Sequence, residues 1–139
     1  MFDRHSLRSA LAALTLGVAL ITTTAPARSA GVDLVYLMDE SGSVSSANFA
    51  VERDFITDVT LAVRASVPFG PTGLAAGLVQ HGSDARLTQP LTFSLATFDN
   101  SLNATVARGG ASCPSCAITL GRQELAAARG RALAPDVLV

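Results

Sequence analysis

The chain of 139 residues has no tryptophan, one tyrosine and six phenylalanines, and its charged residues amount to 15% and sum to −1. The basic residues are scattered rather than gathered into a stripe, so neither the charge nor the aromatic surface of a nucleic-acid-binding domain is present. Histidine and cysteine are also scarce, with His5, His81, Cys113 and Cys116 making up the whole supply. A closed structural zinc site takes four such ligands, and His5 lies in a segment expected to be removed, which excludes zinc of that kind. There is no internal repeat and no low-complexity linker, and the length leaves room for one domain at most.

The first thirty or so residues read as something other than that domain. Arg4 and Arg8 precede an apolar and small stretch from Ala10 to Ile21, broken only by Thr15, and Ala25-Pro26-Ala27 then supplies small residues at cleavage-site spacing. This is the pattern of a secretory signal peptide over residues 1–30, cut after Ala27 or after Ala30. The apolar run falls short of the roughly 20 residues a spanning helix needs, so no membrane span is expected after cleavage. The expected location is secreted or periplasmic, where the two cysteines would pair as one disulfide.

From Gly31 the sequence alternates between strand-like and helix-like segments. Val32 to Met38 is too continuously apolar for a half-exposed strand and fits a central parallel one. Ser45 or Ser46 caps an amphipathic helix over Ala47 to Ser66, with Glu52, Phe55, Ile56, Val59, Ala62 and Val63 at helical spacing. Pro68, Gly70, Pro71 and Gly73 end it, and Leu74 to His81 forms a second strand. Ala85 to Leu91 reads as an edge strand closed by Pro90, paired with Leu74 to His81. Leu95, Phe98 and Leu102 mark a short helix, Arg108 to Ser115 a Gly- and Ser-rich loop, Ala117 to Leu133 a further helix and Val137 to Val139 the start of a strand. The expected class is α/β, a Rossmann-like and mostly parallel sheet with helices on both faces.

The chemistry concentrates where the first strand ends. Asp39, Ser41 and Ser43 place a carboxylate and two hydroxyls at alternating positions, with Gly42 allowing a tight turn between the serines. Such a set at the carboxyl end of a central strand converges on a hard cation with oxygen ligands, magnesium above all. The same residues also make Asx and Ser turns that cap helices, and on spacing alone the two readings are even.

The segment Val-Asp-Leu-Val-Tyr-Leu-Met-Asp39-Glu-Ser41-Gly-Ser43-Val, followed by Asn48-Phe49, resembles the opening of a von Willebrand factor A domain. Leu78-Val79-Gln80 and Ser83-Asp84-Ala85-Arg86 resemble its second strand and turn, and Gly109-Gly110-Ala-Ser112 its Gly-Gly-x-Thr loop, with serine in place of threonine. The resemblance implies a domain without catalytic activity that binds a protein partner. An acidic side chain of that partner would complete the coordination of a divalent ion held by Asp39, Ser41, Ser43 and Ser112. The ion would be magnesium, with manganese and calcium as alternatives, and Ser115 replaces Ser112 if the loop slips. A final aspartate ligand of the family's Thr-Asp-Gly sequence is not reached by Val139, so a partial domain over residues 31–139 is expected. A chain with an open sheet edge that does not fold stably is a competing expectation.

Cys113-Pro-Ser-Cys116 has the spacing of thiol-disulfide oxidoreductases, in which a helix end lowers a thiol pKa, and such an enzyme is the second functional expectation. A structural disulfide is preferred because the loop lies late in the chain and Ser112, not an aromatic residue, precedes the first cysteine. His81 is expected to be a packed, hydrogen-bonded core residue. Asn103-Ala104-Thr105 is a glycosylation acceptor pattern for a chain exported through a glycosylating pathway. Asp33 and Arg108 are expected to be solvated charges at loop edges.

Overall fold

A computed structural model describes residues 31–127, 131 and 134–139. The signal peptide expected over residues 1–30 lies outside the described residues, and so does most of the expected end of the last helix, at 128–130 and 132–133. The elements run β1 (Val32–Asp39), α1 (Ser46–Ser66), β2 (Leu74–His81), β3 (Ala85–Thr92), α2 (Leu95–Asn103), α3 (Pro114–Ala127) and β4 (Asp136–Leu138). They build a four-stranded sheet in the order β3-β2-β1-β4. β1 pairs in parallel with β2 and β4, and β3 runs antiparallel to β2. The mostly parallel α/β sheet expected from the sequence is the one found, and Pro90 sits on the outermost strand.

Continuously apolar β1 and β2 form the centre because both of their faces are covered. One face packs Leu34, Tyr36, Met38, Leu74, Ala76 and Leu78 against Phe49 and Ile56 of α1 and Phe98 and Leu102 of α2. The other packs Val35, Ala75 and Val79 against Ala117, Leu120 and Leu125 of α3. Gly121 makes that second layer thin, since a Cβ there would meet Leu138 Cδ2 at 2.9 Å and Leu37 Cδ2 at 3.0 Å. A larger residue there would push the ends of these two leucine side chains aside.

Ser45 caps α1, its hydroxyl accepting the Asn48 N–H at 3.2 Å. The buried face of α1 is narrower than the sequence suggests, with Phe49, Ile56 and Thr60 buried and Phe55 54% exposed. Phe49, Ile56, Thr60 and Val63 already form a continuous stripe, and Phe55 is turned off it by about 100° relative to Ile56. The last helix begins earlier than expected, at Pro114 rather than Ala117. Proline suits a first helical position, and the Cys113 carbonyl accepts the Cys116 and Ala117 N–H groups at 3.1 and 3.3 Å.

Candidate metal centre

β1 ends at Asp39, where the chain leaves the carboxyl edge of the sheet. The Asp39 carboxylate is used on both sides. Oδ1 accepts the Ser41 N–H at 2.7 Å, closing an Asx turn, and Oδ2 accepts the Ser112 hydroxyl at 3.2 Å. The loop thus forms the expected Asx turn while its second carboxylate oxygen faces the Ser112 hydroxyl. Ser41 Oγ and Ser43 Oγ lie 3.0 Å apart. Ser41 is buried whereas Ser43 and Ser112 are exposed. Ser115 stands apart in the first turn of α3, its hydroxyl 3.7 Å from Cys113 Sγ.

Thus the carboxylate and all three hydroxyls singled out in the sequence come together across more than seventy residues of chain. Two backbone hydrogen bonds join the loops that carry them, from Gly42 N–H to Gly110 O at 2.8 Å and from Gly109 N–H to Glu40 O at 2.9 Å. Gly109 and Gly110 adopt φ of 76° and 97°, left-handed values that glycine reaches without strain. The donor set fits a hard divalent cation, being all oxygen, small and open to solvent on one side. Among the described residues there is no cluster of three or more His, Cys, Asp or Glu side chains able to hold a metal. An ion here would depend on hydroxyls.

Burial pushes the Asp39 carboxyl up, but hydrogen bonds from the Ser41 backbone and hydroxyl, the electrostatic influence of the neighbouring His81 and a hydrogen bond from the Ser112 hydroxyl outweigh it and leave the pKa below its usual value. Asp39 is thus held as the anion that a cation needs. Glu52 on α1 accepts the Asp39 N–H at 2.9 Å. Burial is the main reason its own pKa is raised, with the Asp39 backbone N–H opposing and the Asp39 charge adding to the rise.

Several residues take places the sequence did not announce. His81 is buried as expected, but its Nδ1 has no hydrogen-bond partner among the described residues. Asp33 is not a solvated charge, and Arg108, with its side chain 50% exposed, is only partly one. Asp33 is buried and paired with Arg131, and Arg108 Nε reaches Glu40 Oε1 at 3.2 Å. Glu40, hidden between two site residues, is 1% exposed and also binds Arg86 at 2.8 Å. Glu40 lies just past the end of β1, and nothing in its local sequence names its distant partners. Cys113 and Cys116 form a disulfide across the N-terminal turn of α3.

Comparison with known proteins agrees with this architecture. Vitrin from Bos taurus is 36% identical over 94 residues, a match that spans 63% of this chain and 13% of vitrin. Proximal thread matrix protein 1 from the mussel byssus, solved with a zinc-occupied MIDAS motif, superposes with a TM-score of 0.63 at 17% identity, over 74% of this chain and 27% of that one. The VWA domain of SpRpn10 superposes with a TM-score of 0.60 at 14% identity, over 73% of this chain and 54% of its own. The chain therefore spans about an eighth of vitrin's length and about half or less of these solved chains. The sequence model of the von Willebrand factor type A domain matches residues 33–139. With that match over most of its length, and with the parallel sheet and its carboxyl-edge loops, the chain belongs to the von Willebrand factor type A domain family.

Proposed function

We propose that this domain captures a protein partner through a divalent cation, with magnesium the best chemical match, held by Asp39, Ser41, Ser43 and Ser112. The observation that carries the reading is the convergence of Ser112 on Asp39 at 3.2 Å beside the Ser41 and Ser43 pair at 3.0 Å. One carboxylate and three neutral hydroxyls make a weakly charged ligand set that leaves a bound divalent cation with a net positive charge. When bound, the ion would supply an electrophilic point for an acidic side chain of the partner. Asp39 contributes the negative charge, the three hydroxyls contribute neutral oxygen, and the Gly109-Gly110 turn ties the Ser112 loop to the first loop through its backbone bonds.

The reading places the domain at residues 31–139, behind a signal peptide over 1–30, and in a secreted or periplasmic setting. Among the described residues no helix is long and apolar enough to cross a membrane. The domain acts by binding rather than catalysis. A test is calorimetric titration with magnesium chloride of the wild-type chain and of Asp39→Ala. Saturable uptake by wild type that vanishes in the variant is the expected result. Null heats for both proteins would overturn the reading.

A further inference from the structure

We infer that Arg108, docked on the buried Glu40 carboxylate, is a positioning residue for the metal centre, fixing the loop that carries Ser112 against the loop that carries Asp39, Ser41 and Ser43. The inference rests on the metal-dependent reading above and says which side chain holds that site's two halves in register.

Glu40 lies between two proposed ligands yet faces the other way, 1% exposed, and both of its oxygens are engaged. Oε1 accepts Arg86 Nη1 at 2.8 Å and Arg108 Nε at 3.2 Å, while Oε2 accepts Gln80 Nε2 at 3.2 Å. Gln80 in turn accepts Arg86 Nη2 at 2.8 Å and the Thr88 hydroxyl at 3.0 Å, and donates to the Val106 carbonyl at 3.4 Å. The strap from Val106 to Ala111 is thereby laid along Glu40 to Gly42. It is pinned again where Ala111 N–H donates to Ser83 Oγ at 3.0 Å. Arg108 is the one charged residue in that strap, and Ser112 follows it.

Two facts separate positioning from general support of the fold. The Glu40 charge is already balanced by Arg86, so removing Arg108 leaves no buried carboxylate unpaired. The Arg108 side chain is also 50% exposed, with its other contact an outer one to Asp84 at 3.8 Å, and exposed pairs of this kind add little to stability. What disappears with Arg108 is the charged side-chain tie upstream of Gly109 and Gly110, leaving the Gln80 contact with Val106 and the two backbone bonds at the glycines to hold the loop. Ser112 would then sample positions away from Asp39, and a small, hard ion tolerates little error in its ligand geometry.

The test compares magnesium titrations of the wild-type chain, Arg108→Ala, Arg108→Lys and Asp39→Ala, with melting curves of each recorded in chelator. Loss of an outer support typically costs about tenfold in metal affinity, and that is the drop expected for Arg108→Ala. Its metal-free melting temperature should move by no more than about 4 °C. Arg108→Lys, which restores a cation to Glu40, should recover most of the affinity. If wild type binds and Asp39→Ala does not, while Arg108→Ala matches wild type, the positioning role alone is overturned. It is equally overturned if Arg108→Lys is no better than alanine, or if Arg108→Ala melts far lower without metal. No uptake by wild type would overturn the metal reading, and this inference with it.

Discussion

β1 carries a buried carboxylate near each end, Asp33 at the amino end and Glu40 just past the carboxyl end, and arginines hold both. At the amino end the partner is Arg131, which binds the Asp33 carboxylate and also donates to the carbonyls of Gly73 at 2.7 Å and Val32 at 2.8 Å. Its guanidinium also lies over the Phe93 ring at 5.2 Å, with Nε buried and without a hydrogen-bond partner among the described residues. At the carboxyl end Glu40 is held by two arginines, one of them half exposed, and above it Ser43 and Ser112 face solvent. The same chemistry closes one end of the sheet and joins two solvent-facing loops at the other. A buried pair at the closed end should therefore govern stability, and an ion pair at the open end should govern binding.

The largest effect expected from that contrast is at Arg131. Arg131→Ala leaves Asp33 buried without its cation and strips two β-edge carbonyls of a donor, a class of change that costs about 3–5 kcal/mol. Urea unfolding followed by circular dichroism measures it. A loss below about 1 kcal/mol, the range of exposed ion pairs, would break the contrast between the two ends. The next effect belongs to the open end. Magnesium at a hundredfold excess over its Kd should stabilise the wild-type chain by about 2.7 kcal/mol. Chelator should reverse the shift, and Asp39→Ala should show none. Thermal melting with and without the ion reads this directly, and equal shifts in wild type and Asp39→Ala would place the ion elsewhere.

The sequence carried much of the fold and the exposed half of the site. β1 and β2 were legible because unbroken apolar runs bounded by turn residues have few other uses in a chain this size. Asp39, Ser41 and Ser43 were legible through the resemblance of the loop after β1 to the family's opening segment, since spacing alone left the turn and metal readings even. Glu40 and Arg108 were not. Their partners lie 46 and 68 residues apart in pairs such as Arg86 with Glu40 and Arg108 with Glu40, and single-sequence periodicity carries no information on contacts of that range. Phe55 was misplaced for a related reason, since the choice among neighbouring apolar residues on α1 is made by the shape of the sheet it meets. The early start of α3 was hidden by the Cys-Pro-Ser-Cys sequence, which reads as loop until Cys113 is seen accepting the first helical hydrogen bonds.

A smaller effect is expected from the disulfide, which belongs to the open end but ties only one helical turn. Closing so short a loop gains little from chain entropy, and the double variant Cys113→Ser with Cys116→Ser should lose about 1–2 kcal/mol. Magnesium affinity should fall less than in Arg108→Ala, because the Arg108 contact with Glu40 remains in the cysteine variant. A disulfide-reductase assay on the same proteins sharpens the point. Turnover by wild type that is lost in Cys113→Ser would move this end of the molecule from binding to catalysis.

The smallest effect at neutral pH probes the middle of β1, between the two clamps. Tyr36 is fully buried and its hydroxyl lies 2.8 Å from Thr60 Oγ1. Tyr36→Phe should cost about 1 kcal/mol there, since Thr60 still donates to the Ile56 carbonyl at 2.7 Å. The sign reverses in alkali. Burial pushes the phenol pKa up, with the Thr60 hydrogen bond opposing, so the protonated phenol favours the fold. That contribution is present below the unfolded value of about 10 and is lost as pH rises through the higher folded value. All ten basic residues are arginine, whose charge persists above pH 12, and the cysteines are tied in a disulfide, so both clamps stay intact through this window. Phenolate absorbance followed during alkaline unfolding should therefore show the single tyrosine ionising as the sheet opens, while Tyr36→Phe holds to higher pH. If the two proteins unfold at the same pH, the strand fails first at one of its ends, and repeating the scan with Arg131→Ala and Arg108→Ala identifies which.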